Sequence, residues 1–340
     1  MPPDEVEKGI LNQPERVSEL LKKIHKESGA RSKQVIASLP ISSVFSTIIN
    51  LPRISKKELA SPRNLAPLIH WEAKKLIPLP LNEMILDWQV IPTSETKQKT
   101  RLMQNSEPPL EKTAQDAAKK KHTPQEPQTL KNTRVLLNAA AKELVEKYVR
   151  VFKQAGLQLV SLEPDNAALI RSLIGNDPST AMIIDIGAKT TNLLVIDNKI
   201  PYLNKSIHLG GVSFTRAISE QLQVEYGRAE QFKIDLSKSA DSAFPRMLES
   251  NLVDVLNEVT YLTKLFGSSH AKSIEKIILT GGSSLLPELS YFLEEKLHIR
   301  VYLGDPWARV IFPPDLRPVL DELGPRFAVA IGLVMRKFHS

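Results

Sequence analysis

Hydrophobic and polar positions change period several times along the chain, and each change marks an element. Residues 14–21 (Pro-Glu-Arg-Val-Ser-Glu-Leu-Leu) open a helix with proline in its first turn. Residues 35–39 (Val-Ile-Ala-Ser-Leu) and 44–49 (Val-Phe-Ser-Thr-Ile-Ile) are β-branched or aromatic, the second alternating apolar and polar, and turn residues bound both, so each predicts a strand. Ser55 and Glu58 have the spacing of a capping box, but Pro62 and Pro67 interrupt the helical pattern beyond them, which places the continuous helix at 64–76, ended by Pro78 and Pro80. Order resumes after 132. Residues 134–140 read as a strand, 142–155 as an amphipathic helix stopped by Gly156, and 157–162 as another strand, a βαβ rhythm. A second α/β unit fills the remainder, with strands at 181–186, 192–196, 201–208 and 274–279 and a last helix at 326–337.

Between 94 and 132 the periodicity disappears. Lys, Gln, Thr, Glu and four prolines replace the large apolar residues, the signature of a flexible insertion with no core to join. A coil of that length has a root-mean-square span of roughly 35 Å and can loop out without disturbing its neighbours. Its Lys119-Lys120-Lys121 run reads as solvated charge.

Composition narrows the function classes. The chain has 340 residues, 42% hydrophobic and 24% charged, enough for two separate cores. It has no run approaching 18 apolar residues and a polar amino terminus, so the expectation is a cytoplasmic protein without a span or signal peptide. Absence of cysteine removes disulfides, zinc-thiolate sites and thiol nucleophiles, and the seven histidines form no His-x-x-x-His pair. The charge of +7 is not accompanied by stacking aromatics, so no nucleic-acid partner is expected.

Two segments carry chemistry. Residues 182–197 run Met-Ile-Ile-Asp-Ile-Gly-Ala-Lys-Thr-Thr-Asn-Leu-Leu-Val-Ile-Asp: a buried strand ends in Asp185, Gly187 turns, hydroxyl residues line the turn, and a strand returns. Backbone N–H groups around Gly187 can face anionic oxygens, and Asp185 can position a magnesium-bound or attacking water. Residues 277–287 carry a buried strand through Gly281-Gly282-Ser283 towards a helix, where glycine lets backbone approach a ligand closely. Between them lie Gly210-Gly211 and the i, i+3 pair Glu230 and Lys233. Alone, these read equally as an ordinary hairpin, a strand-to-helix turn and a surface ion pair.

Their order and separations resemble the actin-like ATPase superfamily, and more narrowly the PilM family of type IV pilus assembly proteins. Residues 35–45, Trp71-Glu72-Ala73, 77–81, 86–90, 141–145 and Ala155-Gly156-Leu157 resemble that family's added subdomain, which is similar to the one in FtsA. The resemblance implies an α/β, actin-like (ribonuclease-H-like) two-domain fold with an inserted FtsA/PilM-type subdomain. It divides the chain into 1–33, a remnant of the first actin-like subdomain; 34–163, the inserted subdomain; and 164–340, the nucleotide-binding domain. On the same match Asp185, Gly187, Thr190 and Thr191 form the second phosphate hairpin, with Asp185 as the catalytic-type residue positioning Mg or water. Gly210 and Gly211 approach the ligand, Glu230 and Lys233 contact ribose or adenine, and Gly281, Gly282 and Ser283 make the adenosine turn. The implied cofactor is ATP with Mg, held as a conformational ligand with weak or absent hydrolysis.

Family members begin with a strand-hairpin-strand bearing a Gly-x-Asp-x-Gly-Ser phosphate loop, and no such segment precedes Val35 here. Its lack is expected to remove on the order of 5 kcal/mol of nucleotide binding, about 10³-fold. A truncated gene, a split gene and a member that no longer binds ATP are all compatible with that expectation. The implied partners are a PilN-like membrane protein tail and pilus motor or platform proteins, with the membrane reached only through partners. An FtsA-like anchor is disfavoured because residues 334–340 give no separate amphipathic helix, and an actin-like small-molecule kinase because no substrate loop accompanies Asp185. No Gly-Lys dipeptide and no Gly-x-Gly-x-x-Gly occur, which excludes a P-loop motor and leaves a Rossmann dehydrogenase unsupported.

Overall fold

The computed structural model describes residues 13–55, 62–91, 129–239 and 246–336. The insertion at 94–128, Glu58 of the capping-box pair and residue 337 lie outside them; 129–132, expected to belong to the insertion, begin a strand instead.

The chain forms two compact units, residues 1–44 with 141–340, and residues 45–140. In the larger unit a five-stranded sheet has the order β10-β9-β6-β7-β8, built from β6 (Ala181–Ile186), β7 (Thr191–Asp197), β8 (Ile200–Ile207), β9 (Lys276–Thr280) and β10 (Val301–Leu303). β6, β7 and β8 form an antiparallel meander, and β9 and β10 add parallel strands on the far side of β6. This is the ribonuclease-H-like layout the resemblance implied. β6 has no polar residue before Asp185 because it is covered on both faces. Met182, Ile184 and Ile186 join Phe214, Ile218, Leu252, Val259 and Phe266 in one core, while Ala181 and Ile183 join Leu169, Leu173, Ile174 and Ala328 in the other.

The first core is closed by helices α5 (Gly211–Leu222), α6 (Tyr226–Lys238), α7 (Glu249–His270) and α8 (Leu289–Leu297). The second is closed by α4 (Asp165–Leu169), which continues into a π-helical turn (Ile170–Ile174), and by α9 (Arg317–Val334). α9 starts nine residues before the expected position (326 − 317 = 9) and runs through Pro325. An interior proline costs about 3 kcal/mol, offset here by burial of Pro325, Ala328, Ile331 and Gly332. α9 lies so close to α4 that a Cβ on Gly332 would come 2.0 Å from the Ala168 carbonyl oxygen. Glu163 accepts hydrogen bonds from Arg171 and pairs with Arg336, tying β5 (Gln158–Pro164) to both helices.

β1 (Gln34–Leu39) pairs in parallel with β5, and α1 (Pro14–Glu27) packs on α3 (Lys142–Gln154). The subdomain bounds expected at 33/34 and 163/164 are not the bounds of these compact units, which divide at 44/45 and 140/141 and hold β1, α3 and β5 in the larger one. Parallel strands need a crossover. Between β1 and its crossover helix α3 the chain leaves to build the smaller unit. That unit is a sheet of order β2-β4-β3, from β2 (Val44–Ser55), β3 (Met84–Ile91) and β4 (Thr129–Ala141), with α2 (Pro62–Leu76). Its core joins Ile49, Leu51, Leu65, Ile69, Val135 and Leu137.

Candidate functional site

The β6–β7 hairpin closes on its own backbone and on α5. Gly187 N–H donates to the Thr190 carbonyl at 2.9 Å, Gly211 N–H to the Gly187 carbonyl at 2.9 Å, and Val212 N–H to the Ala188 carbonyl at 2.8 Å. A Cβ on Gly210 would lie 2.6 Å from the Gly187 oxygen and 2.7 Å from that of Ala188, so only glycine permits this approach. The first N–H groups of α5, which a helix leaves without partners, are thus met by hairpin carbonyls. Unpartnered among the described residues are the tip amides of Ala188, Lys189 and Thr190, which remain available to an anion. Thr191 serves a different purpose: it is fully buried and its hydroxyl donates to the Leu209 carbonyl at 2.8 Å.

α6 brings Glu230 and Lys233 over the start of α5. The Lys233 ammonium donates to the Gly211 carbonyl at 3.0 Å, to Thr215 Oγ1 at 2.7 Å and to Glu230 Oε2 at 2.7 Å. An ammonium has three donors, so all are engaged. The third wall is the turn after β9. Gly281 has φ +88, and a Cβ there would meet the Ile186 oxygen at 2.4 Å and Asp185 Oδ1 at 2.6 Å. Its N–H donates to the Pro325 carbonyl at 3.1 Å, as does the Thr280 hydroxyl, so α9 is anchored to the turn.

These walls enclose a cavity of about 410 Å³, within the size range of small-molecule sites. Of the residues that the sequence singled out, Gly187, Gly211, Glu230, Lys233, Gly282 and Ser283 line it. Asp185, Thr190, Thr191, Gly210 and Gly281 do not: Gly210 and Gly281 hold the walls together from behind, and Asp185 alternates with Ile184 and Ile186 onto the opposite face of β6. Tyr226, Ile234, Ser237, Leu286 and Arg326 line the cavity and were not foreseen. The helical spacing of Tyr226, Glu230, Lys233, Ile234 and Ser237 could have revealed the first three, whereas no local signal marks Arg326.

On its own face Asp185 meets Asp165, the first residue of α4. Burial pushes Asp185 up to about 6, against a hydrogen bond from Asn192 that favours the charged form. Asp165 rises further, to about 7, by burial and then by the negative charge of Asp185, opposed by N–H groups of Ile41 and Asn166. Asp165 Oδ1 is buried without a hydrogen-bond partner. Among the described residues no group of three or more His, Asp or Glu could cage a metal. A magnesium ion carried by a nucleotide needs less, because it keeps waters and uses phosphate oxygens with one or two carboxylates. Asp185 and the orphaned oxygen of Asp165 stand outside the cavity lining and could serve such an ion only through its waters, while the free tip amides fit phosphate. No helix among the described residues is long and apolar enough to cross a membrane.

The sequence model of the family described as type IV pilus assembly protein PilM matches residues 1–104 and 109–338. A solved PilM-PilN type IV pilus biogenesis complex contains a chain similar to this one, at 25% identity and a TM-score of 0.73, covering 95% of this chain and 85% of that one. Among curated proteins, cell division protein FtsA of Borreliella burgdorferi is 26% identical over 188 residues, which is 47% of this chain and 43% of that protein. FtsA of Streptococcus pneumoniae serotype 2 is 24% identical over 200 residues, 51% of this chain and again 43% of the relative. The chain therefore spans less than half the length of these FtsA relatives.

Proposed function

The chain belongs to the type IV pilus assembly protein PilM family, and from that membership we propose that it is an actin-like scaffold of pilus assembly that binds the cytoplasmic tail of a PilN-like membrane protein. The observation that carries this reading is the likeness to the PilM-PilN complex over 95% of the chain at a TM-score of 0.73. It acts in the cytoplasm and reaches the inner membrane through its partner, through which it also meets the pilus motor or platform.

The cavity beside the hairpin is proposed as the binding site for ATP with magnesium. The bound nucleotide supplies concentrated negative charge and a planar base. The tip amides of Ala188 and Lys189 would meet that charge, Glu230 would offer its free Oε1 to a hydroxyl, and Asp185 and Asp165, which stand outside the cavity lining, would reach a magnesium ion only through its waters. Lys233 acts by positioning: it fastens α6 to α5 and so sets the width of the cavity. With Asp185 on the sheet face opposite the cavity core, ligand-dependent conformation is favoured over rapid turnover.

Membrane fractionation tests the scaffold reading. The full chain should sediment with membranes when the PilN-like protein is co-expressed and remain in the supernatant without it; equal distribution in both cases would refute it. For the nucleotide reading, calorimetric titration with Mg-ATP should give sub-millimolar binding, and absence of heat up to millimolar ligand would count against it.

A further inference from the structure

Two cations line the cavity, Lys233 and Arg326. They differ in what remains free. Lys233 has its three donors engaged and its side chain is only 13% exposed. Arg326 is exposed, and its guanidinium has neither hydrogen bond nor ion pair among the described residues.

Its backbone is nevertheless fixed. The carbonyl of the preceding Pro325 accepts from Gly281 N–H and from the Thr280 hydroxyl, each at 3.1 Å, so the α9 turn bearing Arg326 is pinned to the end of β9. Gly281 in turn abuts the Ile186 carbonyl at the end of β6, where the hairpin begins. The Arg326 stem passes beside Gly282, where a Cβ would lie 4.0 Å from Arg326 Cγ in ordinary contact, and both residues line the cavity. A planar fork of donors on a rigid base, uncompensated by any carboxylate, suits the bidentate geometry of a phosphate.

We infer that Arg326 is the cavity's ligand-facing cation and binds a phosphate of the nucleotide, while Lys233 is committed to holding the walls. This inference rests on the nucleotide reading of the cavity. The Arg326 guanidinium makes no hydrogen bond or ion pair among the described residues that a variant would break, so its variants report on the ligand.

The test uses the full chain and its R326A and R326K variants, titrated calorimetrically with Mg-ATP, ADP and adenosine. R326A should weaken ATP and ADP by about tenfold or more, as expected for one charge-assisted pair. It should leave adenosine within about twofold and the thermal midpoint unchanged, and R326K should fall between. Unchanged ATP affinity in R326A, with clear binding by the unaltered chain, overturns this inference alone. Equal loss for adenosine and ATP also overturns it, making Arg326 a wall against the base. If the unaltered chain binds none of the three ligands, the nucleotide reading fails and this inference with it.

Discussion

The Lys233 ammonium stands 2.7 Å from the Glu230 carboxylate and uses its other two donors on Thr215 and the Gly211 carbonyl. A residue whose type suggested a ligand contact is therefore part of the frame. Lys233→Ala should lower stability without any ligand, by about 1–3 kcal/mol, because it leaves the Gly211 carbonyl and Thr215 without this donor. A fall in thermal midpoint of several degrees checks this, and an unchanged midpoint would mean the contacts contribute nothing net.

Thr191 gives a sharper separation of roles. Its buried hydroxyl donates to the Leu209 carbonyl, so Thr191→Val should cost about 1–3 kcal/mol while the folded variant keeps its ATP affinity. Urea titration measures the first and calorimetry the second. A large loss of affinity in a stably folded variant would restore the phosphate role that the sequence alone suggested.

Backbone approach sets a third expectation. Gly332→Ala would place a Cβ 2.0 Å from the Ala168 carbonyl oxygen, forcing α9 and α4 apart. Overpacking of this kind costs about 1–3 kcal/mol or more, and because α9 carries Arg326, ligand affinity should fall with stability. At Gly281 the φ of +88 adds strain to the clash with Ile186, so Gly281→Ala should be at least as damaging.

Asp165 and Asp185 predict how stability follows pH. Both native values, about 7 and about 6, lie above the ordinary carboxylate value of 3.8. The native state therefore binds more protons than the unfolded state between roughly pH 4 and pH 7, and stability falls as pH rises through that window. In magnesium-free buffer the chain should melt higher at pH 5.5 than at pH 8. Asp165→Asn should flatten that difference and raise the midpoint at pH 8, since a tenfold change in proton affinity on folding corresponds to about 1.4 kcal/mol. A midpoint that climbs from pH 5.5 to pH 8 would contradict the burial described for these groups.

What the sequence disclosed was local. The alternating and continuous apolar runs located β6 to β9, and Gly187 and Gly281 announced turns that only short-range sterics require. What it hid was non-local. β1 pairs with β5, with the whole smaller unit between them in sequence, a parallel contact with no signature in either strand, and both strands fall in the larger compact unit. Asp165 looks like an ordinary helix-starting aspartate until Asp185 is found beside it. Arg326 lies 44 residues beyond Gly282 (326 − 282 = 44), at the expected start of the last helix, and nothing local tied it to the cavity it lines.

Whether this chain is a scaffold for a PilN-like protein is decided by calorimetric titration of the purified chain with a synthetic peptide of that protein's cytoplasmic tail, with and without Mg-ATP. A scaffold should give saturable one-to-one binding with a micromolar dissociation constant, lost for a scrambled peptide of the same composition. No binding in either nucleotide condition, or equal binding of the scrambled peptide, would contradict the scaffold role.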